Sequence, residues 1–193
     1  MSELGGIYQF VYRGQLADEA LDQGGRTKFA HAGELEGEIA DMLSLGLLDD
    51  DLVAEARRMA TVYTGIAAFE NSARTLVSST MLEGKGDNWW EDCVSEKIRK
   101  RAEDRRSDEE KHRFHTQRGD APINYTELPD LLNIIRANWD LFEPFIPTPE
   151  WARSIFDAVE RSRNVIMHSG TLDTEDIARV GINIRDWIKQ VGA

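Results

Sequence analysis

The sequence predicts an all-α protein, a bundle of five to six helices, and three observations support this fold class. Apolar residues recur at helical spacing over most of the chain after residue 46. Glycine and proline mark the ends of these periodic segments. The alternating pattern of a strand is confined to one short run, Ile7 to Tyr12. Amphipathic helices of this kind bury their apolar faces against one another, which is the architecture of a bundle.

The first part of the chain is predicted to be separate from this bundle. Residues 1–45 are rich in glycine and are expected to form a short N-terminal extension, while residues 46–193 form the bundle. Ile7 to Tyr12 is interpreted as an edge strand or a docking arm. Leu35, Ile39 and Met42 follow a helical period before Gly46.

Two or three helices are predicted in the first half of the bundle. Three aspartates, Asp49 to Asp51, suit the positive end of a helix dipole, and the helix that follows from Leu52 ends at Gly84. The segment from Glu91 to Arg118 is dense in charges of both signs and is predicted to form one or two helices.

Three further helices are predicted in the second half. Tyr125-Thr126-Glu127 opens a helix that continues to Phe142, before Pro144 and Pro147. Thr148, Pro149 and Glu150 are typical of a helix start, and Gly170 is placed to end that helix after Ser169. The last helix runs from Asp173 to Val191 with one apolar face.

Composition and charge exclude several classes of protein. Apolar residues make up 41% of the chain and charged residues 30%, as in a folded globular domain. The formal net charge of −12 argues against nucleic-acid binding over the whole surface, so any such site must be local. With one cysteine, no signal sequence and no membrane-spanning stretch, we expect a cytoplasmic protein that uses neither disulfides nor cysteine-bound zinc.

The residues that carry chemistry lie near the end of the Pro149 to Ser169 helix. Arginine binds phosphate, histidine transfers protons near neutral pH, and asparagine orients either group, so Arg163, Asn164 and His168 are the candidate catalytic residues. On a helical wheel Arg161, Asn164 and His168 share a polar face, whereas Arg163 lies near the apolar stripe. A charge there needs a partner or a cleft.

This stretch resembles the signature of the HEPN superfamily, in which an arginine, commonly followed by asparagine, is separated from a histidine by four to six intervening residues. Arg163 fits this spacing, and Arg161 also fits it. Tyr125 to Leu128 and Asn138-Trp139 make the chain similar to the HEPN branch found attached to nuclear PIN-domain ribonucleases. The resemblance covers roughly residues 52–187.

The resemblance implies a helical bundle that dimerises and, in many members of the superfamily, cuts RNA without a metal or other cofactor. The 2′-hydroxyl attacks the adjacent phosphate and leaves a 2′,3′-cyclic phosphate. It also implies that His168 acts as general acid or base and that Arg163 stabilises the charge on the phosphate. Because an ideal helix places these two residues about 140° apart, we expect two subunits to contribute to a common groove. A bacterial toxin or antiphage-defence role, with an antitoxin or other protein partner, is the expected setting.

Residues outside the motif offer an RNA-binding surface. Between Lys97 and Arg118 nine residues are Lys or Arg and five are Asp or Glu. An exposed helix held by pairs of opposite charge three or four residues apart explains this composition somewhat better. The candidate substrate-binding residues are Arg161, Arg99, Arg101, Arg105 and Arg106. His112 and His115 lack further ligands in a metal-binding pattern, and no metal is assigned.

Two alternatives remain open on the sequence alone. The first is a catalytically inactive HEPN module that dimerises and binds a nucleotide, RNA or a partner protein. The second is a structural helical adaptor in which the tryptophans are all core residues.

Overall fold

The structure, a computed structural model, describes residues 20–21, 35–112 and 114–192. The Ile7 to Tyr12 run therefore lies outside the described residues, and its interpretation as a strand or docking arm stays a prediction. The chain groups into two compact units, Met1–Ala54 and Glu55–Ala193. In the first unit, residues 35–42 are helical and a 3-10 turn covers Leu45–Leu47. The predicted division of the chain at residue 45 stays a prediction.

The all-α prediction is confirmed, since the described residues contain helices and no strand. Five of these helices have ten or more residues. The helices are α1 (Asp50–Lys85), α2 (Trp89–Cys93), α3 (Glu96–Glu110), α4 (Leu128–Ala137), α5 (Trp139–Phe142), α6 (Pro149–Met167) and α7 (Thr174–Val191), with a 3-10 turn at Pro122–Tyr125 before α4.

Two segments differ from the prediction in where their helices end. The segment predicted as one or two helices up to Arg118 is helical only to Glu110, and the Arg118 N–H then donates to the Glu109 carboxylate at 3.2 Å. The helix predicted to continue to Phe142 breaks at Asn138, which is 6% exposed. Its side-chain amide donates to the Ile134 carbonyl at 3.0 Å, so a buried polar side chain occupies an acceptor of the helix end.

The core of the second unit is built on aromatic rings from α1, α6 and α7. Trp187 is fully buried, and the rings of Phe69 and Phe156 lie 5.7 and 5.0 Å from it. Trp151 stacks on Trp187 with ring centroids 5.8 Å apart. Because these rings bury large apolar areas, they fix α6 against its neighbours. Helix α6 also packs on α4 and α7.

No helix in the described part of the chain is both long and apolar enough to cross a lipid bilayer. The long helices α1, α6 and α7 all carry several charged residues.

Candidate functional site

A polar cleft lies between α1, α6 and the segment that leads into α4. Its volume is about 440 Å³. Helix α1 contributes residues spaced by three or four positions, which therefore share one helix face. Helix α6 contributes Glu160 and Arg163, one turn apart. The lining residues are Tyr63, Ala67, Glu70, Asn71, Arg74, Arg118, Asn124, Thr126, Glu127, Leu128, Glu160 and Arg163.

Glu70 joins the two helices at the base of this cleft. Its carboxylate is buried, with Oε1 lying 3.0 Å from Arg163 Nε and Oε2 lying 3.3 Å from Arg74 Nη2. Arg74 Nη2 also donates to the Thr126 carbonyl at 3.2 Å. The contact between Arg163 and Glu70 is an ion pair without good hydrogen-bond alignment, because Arg163 Nε remains without a hydrogen bond. The helical wheel placed Arg163 near the apolar side of α6. The structure gives this charge an ion-pair partner, Glu70, and a position at the cleft.

Glu160 is a half-buried carboxylate on the wall of the cleft. Burial raises the pKa of its carboxyl, and the nearby carboxylates of Glu127 and Asp157 raise it further, while Arg163 opposes this rise. No ion pair or hydrogen bond joins the Glu160 side chain to any other described residue. Sequence reasoning missed Glu160, and its position three residues before Arg163 was the available signal.

The remaining motif residues lie on the exposed side of α6. Asn164 and His168 are exposed, and so is Arg161, which the structure places on the same face. The His168 N–H donates to the Asn164 carbonyl at 3.2 Å and ends the helix. Two apolar side chains, Val165 and Met167, are 40% and 55% exposed beside them.

Within one protomer, the side chains of Arg163, Asn164 and His168 therefore do not meet at one site. Arg163 opens onto the cleft, whereas Asn164 and His168 do not line it. Because residues five positions apart on a helix point in different directions, this separation follows from helix geometry.

A protein-family model described as Swt1-like HEPN matches residues 65–192. The chain belongs to the Swt1-like HEPN family. The matched range begins inside α1 and ends with α7, so this HEPN domain contains the Glu70 ion pairs and the Arg163 to His168 motif. Comparison with curated proteins and with solved structures found no match.

The four predicted RNA-binding arginines between residues 97 and 118 form contacts within the HEPN domain. Asp130 at the start of α4 is 1% exposed and forms ion pairs with Arg101 and Arg105. Arg105 also donates to the Tyr125 carbonyl at 2.8 Å. These contacts compensate a buried carboxylate and tie α3 to α4.

The other two arginines predicted to contact RNA in this range also have intramolecular partners. Arg99 Nε donates to the Val94 carbonyl at 3.1 Å, and Arg106 Nε lies 3.1 Å from the Glu110 carboxylate. An RNA contact by any of these four arginines stays a prediction. Within the described residues of the HEPN domain, no group of three or more His, Cys, Asp or Glu is arranged to hold a metal ion.

Proposed function

We propose that this HEPN domain is a metal-independent endoribonuclease that works as a bacterial toxin or defence effector. The exposure of His168 at the end of α6 is the observation that carries the proposal, because a proton-transfer group must reach the substrate. The cleft onto which Arg163 opens contains three arginines and three glutamates, so it is formally neutral in a chain of net charge −12. A local site of this kind repels RNA less than the rest of the surface does.

The proposed reaction needs no group beyond those of the chain and the RNA. His168 accepts the proton of the ribose 2′-hydroxyl, whose oxygen attacks the adjacent phosphorus. The bond from phosphorus to the 5′-oxygen breaks, and that oxygen takes a proton from the imidazolium, which leaves a 2′,3′-cyclic phosphate and a 5′-hydroxyl. Arg163 stabilises the charge that develops on the phosphate oxygens, and Asn164 orients the phosphate or His168.

A homodimer completes the proposed site. Arg163 and His168 point in different directions on one protomer, so the site takes His168 from one subunit and Arg163 from the other. The exposed side chains of Val165 and Met167 provide apolar contact area for such an interface next to the motif.

Cleavage of a mixed RNA by the purified protein in excess chelator tests the activity. We expect cleavage by the wild type, and a loss of about a hundredfold or more in His168→Ala and Arg163→Ala, the usual scale for removing an acid-base or charge-stabilising group. Arg153→Ala removes an exposed arginine of the same helix and serves as the control. Arg161→Ala tests which arginine belongs to the motif. A wild type that leaves RNA intact contradicts the proposal.

Mixing the two inactive variants tests the shared site. A heterodimer of His168→Ala with Arg163→Ala contains one site with both wild-type residues and one with neither. Mixing should therefore restore part of the activity, whereas a site confined to one subunit would remain inactive.

The inactive HEPN module is a second candidate, and the Glu70 ion pair favours it. A guanidinium held by a buried carboxylate has less charge available for a phosphate. In that case Glu70→Gln would increase RNA or nucleotide binding without producing cleavage. If the protein is the proposed nuclease, Glu70→Gln should instead lower cleavage, because Arg163 loses the group that positions it.

A further inference from the structure

We infer that the polar cleft between α1 and α6 binds a guanine base of the RNA, with the Glu160 carboxylate accepting from the N1–H and 2-amino groups of the base. The inference names the substrate of the proposed function and rests on it. The cleft volume of about 440 Å³ is large enough to admit a base together with water.

The state of Glu160 is the first observation that supports a ligand. Its carboxylate is half-buried on the wall of the cleft, and no described cation or hydrogen-bond donor is paired with it. Because no donor of the described residues occupies its two oxygens, they are open to hydrogen-bond donors of a ligand that enters the cleft. Burial raises the pKa of this carboxyl, and the carboxylates of Glu127 and Asp157 add to the rise.

The chemistry of the bases selects guanine. An ionised carboxylate has two acceptor oxygens and no donor. Guanine is the RNA base whose pairing edge carries two adjacent donors, so both oxygens are satisfied at once. On adenine, cytosine and uracil a ring or carbonyl acceptor lies next to the donor, and one carboxylate oxygen would face a lone pair.

Other residues of the cleft complement the rest of this base. Asn124 and the Nη groups of Arg118, whose Nε is paired with the Glu109 carboxylate, are donors suited to guanine O6 and N7. The Asn124 side chain packs directly against Gly119, which has φ 147°. Any larger residue would clash there, because a Cβ at position 119 would lie 2.2 Å from the Asn124 amide nitrogen. The ring of Tyr63 is 36% exposed at the cleft and can stack on a base.

The position of the cleft relates the base to the chemistry. Glu160 and Arg163 are one helical turn apart and line the same cleft. A nucleotide whose base contacts Glu160 therefore has its phosphate within reach of the arginine proposed to stabilise the cleaved linkage. We expect cleavage next to guanosine.

Titration with GMP, AMP, CMP and UMP, followed by calorimetry or NMR, tests the base preference. We expect GMP to bind at least about tenfold more tightly than the other three, which is the scale of one good bidentate contact. Inosine monophosphate, which lacks the 2-amino group, should lose most of that advantage. Glu160→Gln, whose amide replaces one acceptor by a donor, should bind GMP and inosine monophosphate equally. Glu150→Gln, on the same helix but outside the cleft, should bind as the wild type does.

Equal affinities for the four nucleotides, or a GMP preference that persists in Glu160→Gln, would overturn the inference. Cleavage without guanine preference in the wild type removes the guanine site and leaves the nuclease. Guanine binding that depends on Glu160 in a protein that does not cleave RNA removes the nuclease and leaves a guanine-nucleotide site.

Discussion

At the scale of single residues, three carboxylates of the HEPN domain differ in whether arginine side chains pair with them. Glu70 holds Arg163 and Arg74 at the base of the cleft, and the buried carboxylate of Asp130 holds Arg101 and Arg105. In contrast, Glu160 has no such partner among the described residues. The first two carboxylates are compensated and contribute to the fold, whereas the third is exposed to whatever enters the cleft.

Glu160 should make the stability of the domain depend on pH. Its folded pKa is raised by burial, so this carboxyl contributes stability that is fully present below the unfolded pKa of about 4.3 and is lost as the pH rises through the folded value. Glu160→Gln stays neutral at every pH. Its melting temperature should exceed that of the wild type at pH 7, and the difference should disappear near pH 4.

The control for this measurement is Glu143→Gln, which removes an exposed carboxylate elsewhere. Its melting temperature should follow the wild type at both pH values. A Glu160→Gln variant that is less stable than the wild type at pH 7 would contradict the assignment of Glu160 as an uncompensated charge.

Asp130 should be far more important to stability than the exposed ion pairs. Asp130→Ala leaves two arginine side chains without their buried partner, and we expect a loss of about 3 kcal/mol in the free energy of unfolding. Arg153→Ala breaks an exposed pair with Asp157 and should cost less than about 1 kcal/mol. Urea unfolding of both variants measures the difference, and similar losses in the two would show that Asp130 is not a structural anchor.

At the scale of elements, α6 is fixed at both ends. Thr148 Oγ1 accepts from the Trp151 N–H at 3.1 Å, and the Gly170 N–H donates to the Val165 carbonyl at 2.8 Å. Ser169 adopts φ 59° to allow this second contact, the backbone turn that commonly closes a helix. The closed C-terminus holds His168 at a defined position on the domain.

Thr148→Ala should destabilise the domain by about 1 kcal/mol, the usual cost of losing an N-terminal helix cap. Urea unfolding measures the change. Ser154→Ala removes a hydroxyl that donates to the Trp151 carbonyl inside the same helix and should have little effect. Equal effects of the two substitutions would mean that the cap has no special role.

The positions of most helices, including both ends of α6, were predictable from the sequence. The end signals at Thr148 and Gly170 and the apolar period of α6 depend on neighbouring residues, which is why the helix was found within two residues of its observed end. The break at Asn138 was missed because it depends on burial of that side chain. For the site, the motif itself was visible in the sequence. The pairing of Arg163 with Glu70 and the unpaired state of Glu160 depend on contacts between distant helices, which a local pattern does not encode.

At the scale of the whole molecule, the proposed nuclease depends on association of two chains. The polar face of Arg161, Asn164 and His168 is flanked by exposed Val165 and Met167. Apolar side chains next to functional polar groups are typical of an interface that also contains a site. A dimer through this surface would bring each His168 close to the other subunit.

Met167→Asp should prevent this association without unfolding the protomer. The side chain is 55% exposed, so the substitution adds no buried charge to one protomer but places a charge in the proposed interface. Light scattering should give the mass of one 21.9 kDa chain for the variant and twice that mass for the wild type, with cleavage lost in the variant. Ile188→Asp, at a similarly exposed position on α7, should remain dimeric. A wild type of single-chain mass would contradict the shared site.

The ion pairs of Asp130 have a consequence for the exposed stretch from His115 to Arg118. Helix α3 is attached to the start of α4 by Arg101 and Arg105, and not merely by the peptide chain that links them. A protease that nicks this stretch would therefore leave two fragments that stay together as one folded particle, and they would separate only under denaturing conditions.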